Sequence, residues 1–497
     1  MGRKILLLGL FAFLILGGVN GTALAATIEV WPGGPVSTIQ EALDRADNGD
    51  IIRVHQGHYR ERLVISKSVS LLGLECPVID GGGVGDVITI LADDVVIKGF
   101  EILGSGKKLE DSDAGIKLKS ARGVVIEDCR IVNNHFGIYL DRSEGNIIRR
   151  NLIRGRPVKG RAEAYQVEND PYAGYHPTFE GEGGDGIHLF ASSDNQIENN
   201  VIVDTRDGIY FNYAHNNCVI GNRISGVRYG IHYMYSDDNY FEANLLTHNV
   251  AGAAPMFSKR IVFRRNVFAH SRGHRAYGVL FATCDDSLAE ENIIVDNTRG
   301  VFFDVSLRNV FRRNMVALND IGLDLISSSS DNLFVENNFI DNLQDVVMVS
   351  GRVGEGNRFY EEGRGNHWND YWGFDLDRDG IGDIPHRTGD PFTYLMARYP
   401  AVRLFLNSPA AKALEFSERI FPLVDVPKAE DRYPLAQPVE IEIPEFGDQE
   451  RQVHSKALGW YSLFMLLLAG AIFSRAFRLS SGRRERWRLL GRRGSPW

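Results

Sequence analysis

Apolar and polar positions alternate in short runs through the middle of the chain, and the pattern returns at a fixed interval. One copy reads Gly186-Ile187-His188-Leu189-Phe190, then Asp194-Asn195-Gln196-Ile197, then Asn199-Asn200-Val201-Ile202. Its glycine recurs at Gly115, Gly137, Gly186, Gly208, Gly230, Gly252, Gly278, Gly300 and Gly322, mostly 22 residues apart. Two steps are longer, Gly252 to Gly278 by four residues and Gly137 to Gly186 by more, and the regular spacing resumes after each. A repeat this short implies stacked units, none of which buries its apolar face alone.

Residues one and three after each glycine are mostly apolar (Ile187 and Leu189, Ile209 and Phe211, Val301 and Phe303), while two and four after are mixed. That is the alternation of a strand with its odd offsets turned inward. Asparagine recurs fourteen after the glycine, at Asn151, Asn200, Asn222, Asn244, Asn266, Asn292 and Asn314, so both insertions fall elsewhere in the unit. A column of amides about 4.8 Å apart can donate and accept along the stack and satisfy buried polar groups at a corner. β-Branched runs and frequent glycines disfavour a helical solenoid. The spacing predicts an all-β fold, a right-handed parallel β-helix of about a dozen coils and roughly 60 Å.

Residues 1–25 carry Arg3 and Lys4, the apolar run Ile5 to Leu16 and the small-residue site Ala23-Leu24-Ala25, the form of a secretory signal peptide. The β-helix is expected over 26–358. It opens with a strand at Ile28 to Val30 and a capping-box helix from Ser37-Thr38-Ile39-Gln40 through Arg45, which closes the open end. Arg154 to Gly184 is an insertion rich in proline, glycine and tyrosine that re-enters just before His188. It either folds over that coil or is a solvated excursion. Residues 359–427 hold an aspartate loop and a helix at Ala410 to Phe421, capped by Ser408 and Pro409, and 428–456 form a linker. An uncharged stretch, 457–474, has the length of a slightly short transmembrane helix.

The net charge is -9, yet residues 475–497 carry eight arginines against one glutamate, so the rest is more acidic still. No nucleic-acid partner is expected. An arginine-rich tail next to a membrane span is cytoplasmic, which leaves the β-helix on the exoplasmic or periplasmic face. Cys76, Cys129, Cys218 and Cys284 are too scattered for a disulfide framework. Cys129 stands in the asparagine column, and Cys284 stands where Ser143, Ser192, Ser236, Ser258 and Ser306 stand in other coils.

β-Helices that cleave polysaccharides need paired acids or a basic residue on the outer face. Lys117, Lys119, Asp141, Asp304 and Asp324 fall at outward offsets but are dispersed, so no catalytic residue is assigned and the chain is not expected to be an enzyme. What clusters is His188, Tyr210 and His232 two after successive glycines, with Phe190, Asn212, Met234 and Met256 four after. On adjoining coils they form one outward block, either a partner-docking surface or soft-metal ligands, since imidazole and thioether together suit Cu(I). The insertion covering this face is the equal alternative. Farther on, Asp375, Asp377, Asp379 and Asp383 alternate around Gly380, as in a loop for Ca2+ or in a turn held by Asp and Gly alone. His386 holds the twelfth position, where an EF-hand needs glutamate, so an EF-hand is excluded.

The runs Arg206-Asp207-Gly208-Ile209-Tyr210-Phe211, Arg228-Tyr229-Gly230-Ile231-His232-Tyr233-Met234-Tyr235-Ser236, Gly363-Arg364-Gly365-Asn366-His367-Trp368 and Tyr399-Pro400-Ala401-Val402-Arg403, with Gly186-Ile187-His188, resemble the NosD family of nitrous oxide reductase maturation proteins. The resemblance covers the β-helix and the segment after it. It implies an exoplasmic component that works with an ABC permease and ATPase in assembling the copper centres of nitrous oxide reductase. It further implies a copper chaperone and the reductase as partners, and the outward block, read as their docking surface, would hold copper transiently with His232 and Met234 touching the metal. The terminal membrane helix departs from the family pattern. A second function class stays open, a membrane-anchored β-helix that binds or cleaves carbohydrate.

Overall fold

The computed structural model describes residues 25–156, 183–326, 328–349, 356–388 and 429–442, with single positions between 399 and 417. The expected leader up to Leu24, the middle of the insertion, most of the helix at Ala410 to Phe421, the span at 457–474 and the basic tail lie outside the described residues. Among the described residues, no helix is long and apolar enough to cross a membrane.

Each coil gives one strand to each of three parallel sheets, of 13, 12 and 13 strands. In the coil of Gly186, Ile187–Phe190 lies in the 12-stranded sheet, and Gln196–Glu198 and Val201–Val203 lie in the two 13-stranded sheets. Pairing preserves the repeat offset, so Ile187, Ile209, Ile231, Ala253, Val279, Val301 and Leu323 form one inward column. Aromatic rings fill the later coils, where Phe281 stacks on Phe303 at 4.8 Å and Phe339 on Trp368 at 4.5 Å. Each ring so buried stabilises the stack by about 1.5–3 kcal/mol.

The glycine column is a requirement of close approach. A Cβ at Gly186 would lie 2.7 Å from the Gly208 carbonyl oxygen, and one at Gly300 would lie 2.6 Å from that of Gly322. The asparagine column is a continuous ladder. Asn200 donates its Nδ2 to Asn222 Oδ1 at 3.0 Å, and Asn222 donates to Asn244 at 3.1 Å, while the main-chain amides donate to the same oxygens. The ladder runs on through Asn337 to Asn366. Other corners carry ladders that the offset of fourteen does not reveal, through Asn195, Asn217 and Asn239 and through Asn297, Asn319 and Asn342. The residue before a ladder asparagine adopts a left-handed conformation even where it is Arg150, Ala243 or Glu291. That strain, about 1 kcal/mol or more per residue, persists because the ladder fixes the corner.

The two buried cysteines fit the columns. The Cys129 amide donates to Asn151 Oδ1 and the Cys284 amide to Ser306 Oγ, and burial pushes both thiols up to about 12. They are inert small residues rather than ligands.

The helix Ile39–Arg45 closes the first coil, as the capping pattern predicts. Thr38 Oγ1 accepts from the Glu41 amide, and the Glu61 carboxylate accepts from the amides of Ile39 and Gln40. At the other end the stack runs farther than the expected boundary at 358. Asn357 and Asn366 extend the ladders, and His367–Trp368 pairs with Asn338–Ile340. This last coil keeps its strand, Gln344–Val349, but Asp345 stands where the other coils carry glycine, so the repeat signature fades while the corner asparagines and Phe359 persist. His386–Thr388 and Ala429–Asp431, paired antiparallel, cover it.

Candidate functional site

The outer face of the 12-stranded sheet brings the predicted block together. His188 lies opposite Tyr210 and Tyr210 opposite His232; two residues on, Phe190, Asn212, Met234 and Met256 form a parallel column. The rings are in contact: Tyr139 stacks on His188 at 4.5 Å, Tyr210 lies tilted against His188 at 4.6 Å, and Tyr210 and His232 meet edge to face at 4.5 Å. This corrects the expectation of a freely exposed block. The strand spacing that aligns the side chains also brings the rings into contact, and His188 is only 8% exposed.

Each imidazole is tied from behind. His188 Nδ1 lies 2.8 Å from Asp185 Oδ2, and His232 Nδ1 lies 2.8 Å from Asp207 Oδ2. Both carboxylates are fully buried, and each is gripped at both oxygens by an arginine of the following coil, Asp185 by Arg206 and Asp207 by Arg228. Burial alone would raise the Asp207 carboxyl, but hydrogen bonds from His232 and Arg228 outweigh it and hold the group well below the usual carboxylate range. Among the described residues, no hydrogen bond reaches Nε2 of either ring.

Met234 and Met256 are directly paired, both half-buried, and the Tyr210 hydroxyl donates to Met234 Sδ at 3.6 Å. Beside them runs a ridge that the offsets of two and four did not capture. Tyr213, Tyr235 and Phe257 stack at 5.2 Å and are 52%, 41% and 46% exposed. All three stand five after a glycine, which was the available signal. Phe190, 37% exposed, adds to the apolar surface that these three rings offer to solvent.

The charged residues of this face do not make an acid pair. Lys117 is buried against Asp86 at 2.8 Å, Asp141 pairs with Arg142 at 3.0 Å and Asp324 with Arg299 at 2.9 Å. In the distant loop, Asp375, Asp377 and Asp379 bring one carboxylate oxygen each within 4.8 Å of one another. The fourth, Asp383, is not in that group and accepts from the Leu376 amide at 2.8 Å. The other three also cap loop amides, of Gly380, Asp379 and Ile381.

The family model described as "Periplasmic copper-binding protein (NosD)" matches residues 165–373, and one described as "Right handed beta helix region" matches residues 86–170. A Pseudomonas aeruginosa protein named "Probable ABC transporter binding protein NosD" is 36% identical over 403 residues, 79% of this chain and 89% of that protein. Its Stutzerimonas stutzeri counterpart is 38% identical over 117 residues, 24% of this chain and 26% of that one. Among solved structures, the A-module of a mannuronan C-5 epimerase from Azotobacter vinelandii is similar at a TM-score of 0.50 and 14% identity, over 64% of this chain and 92% of that chain, a likeness of fold alone.

Proposed function

Since this chain belongs to the NosD family of periplasmic copper-binding proteins, we propose that it is the exoplasmic docking and assembly component of a copper-delivery system, working with an ABC permease and ATPase in maturing the copper centres of nitrous oxide reductase. A copper chaperone brings the metal as cargo, and the helix expected at 457–474 anchors the chain in the cytoplasmic membrane. The observation that carries the reading is the register of the outer face. Two thioethers, Met234 and Met256, lie side by side and His232 shares their face, a donor set that prefers Cu(I) to hard cations. His188, Phe190, Tyr210 and Asn212 continue the same surface, and the Tyr213, Tyr235 and Phe257 ridge gives a partner apolar rings to cover. The carbohydrate alternative has only the shared fold behind it.

The test is binding of the purified chaperone and reductase by the full chain and by a His232→Ala, Met234→Ala double variant. The chain should still fold, its melting temperature lowered by loss of the His232 bond to buried Asp207, while partner affinity falls about tenfold and copper loading of the reductase drops. A variant that binds both partners and supports loading as the parent does would remove this face from the function.

A further inference from the structure

The repeat places an aspartate directly before Gly186 and Gly208, and in both coils its side chain turns under the outer face of the 12-stranded sheet. Asp185 serves the imidazole of its own coil, His188. In the next coil the imidazole position is held by Tyr210, so Asp207 serves His232 of the coil after it. Arg228 bonds both Asp207 oxygens, at 2.8 Å through Nε and 2.6 Å through Nη2, and the Tyr229 amide adds a third bond at 3.3 Å. A guanidinium does not give up its proton, so it keeps the carboxylate an acceptor and makes His232 Nδ1 the donor. The neutral ring is then confined to the tautomer whose lone pair is on Nε2, the nitrogen that no described residue bonds. The Tyr229 ring at 4.9 Å and the Tyr210 ring at 4.5 Å flank the imidazole.

We propose that Asp207, held by Arg228, is the positioning residue of one Cu(I) station formed by His232 Nε2, Met234 Sδ and Met256 Sδ, and that the matching frame of Asp185, Arg206 and His188 is not a second station. The proposal rests on the copper reading of this face. The two frames share the carboxylate, the arginine and the 2.8 Å bond to Nδ1. They differ in what stands beside the ring: Phe190 and Asn212 follow the first frame, Met234 and Met256 the second. Copper affinity therefore depends on the carboxylate behind His232 and not on the one behind His188. A carboxylate behind a ligating imidazole typically alters metal affinity 10- to 100-fold when removed.

The test is an anaerobic Cu(I) competition titration of the full chain against a chromophoric Cu(I) chelator. Removing a buried carboxylate alone would strand its arginine, so each frame is replaced as a pair by apolar residues. Asp207→Leu with Arg228→Met should weaken Cu(I) binding 10- to 100-fold, whereas Asp185→Leu with Arg206→Met should leave it within about twofold. Nitrogen NMR of 15N-histidine-labelled parent protein needs no variant, and the neutral His232 ring should carry its proton on Nδ1. A neutral ring protonated on Nε2 instead, an Asp207 pair that binds as the parent does, or equal losses from both pairs would overturn the proposal while the copper reading stands. A parent chain that does not bind Cu(I), or a Met234→Ala, Met256→Ala variant that binds as the parent does, would overturn both.

Discussion

Asn222 shows how much one side chain carries in a stacked fold. Its Oδ1 accepts from the amide and the Nδ2 of Asn200, and its own Nδ2 donates to Asn244 Oδ1 and to the Ile197 and Ile220 carbonyls. Asn222→Ala removes the acceptor of the buried Asn200 main-chain amide and of one Asn200 Nδ2 hydrogen, and should cost about 2–4 kcal/mol in denaturant unfolding. Asp324 works in the opposite sense. It is 3% exposed, Arg299 satisfies only Oδ2, Oδ1 has no partner, and burial raises its carboxyl despite the arginine. With the folded value above the unfolded one of about 3.9, its contribution is fully present below about pH 4. It is lost as pH rises from there through the folded value. Unfolding curves of the parent and Asp324→Asn at pH 4, 5, 6 and 7 should therefore diverge, the parent losing stability relative to the variant as pH rises. Parallel curves would show that this carboxyl titrates alike in both states.

Neighbouring coils place like positions side by side, so each column on an outer face has to answer for its own charges. Lys98, Glu127 and Arg149 follow one another in register on a 13-stranded sheet, as do Glu242, Arg264, Glu290 and Arg312, and in both runs the sign alternates. Glu127 pairs with Lys98 at 2.8 Å and Arg149 at 2.7 Å, and Glu290 with Arg264 at 3.4 Å and Arg312 at 2.7 Å. A slip by one coil would bring like charges together, so the alternation selects the register. The aspartate loop is a separate element. If the loop where Asp375, Asp377 and Asp379 converge holds calcium, millimolar Ca2+ should raise the melting temperature. An unchanged melting temperature would leave a turn held by its own amides. The glycine and Asn151-to-Asn314 columns were legible in the sequence because both survive the insertions at constant offset. Asp207 was not, because its partner His232 is 25 residues away, the sum of one repeat and a three-residue step. The stacking that buries His188 was hidden too, since alternation tells which way a side chain points and not what leans on it.

Because coils touch chiefly their neighbours, the molecule is most vulnerable at its ends. Glu61 and the helix Ile39–Arg45 close one, and the strands His386–Thr388 and Ala429–Asp431 close the other. The long ladder gives the second closure another meaning. From Asn151 through Asn200, Asn222, Asn244, Asn266, Asn292, Asn314 and Asn337 to Asn366, each Oδ1 accepts from the coil behind, and each Nδ2 before Asn366 donates one hydrogen to the Oδ1 ahead and the other to a main-chain carbonyl behind. The side-chain dipoles are aligned head to tail, as peptide dipoles are in an α-helix, so the column is a polarised rod with its positive pole toward the C-terminal end. There the Asn366 amide donates to the buried carboxylate of Asp431 at 2.6 Å, and Trp368 Nε1 donates to the same oxygen at 2.9 Å. Asp431 is thus the counter-charge of an array nine asparagines long. Losing it would be felt as a change of electrostatic potential along the axis, back toward coils that it never touches.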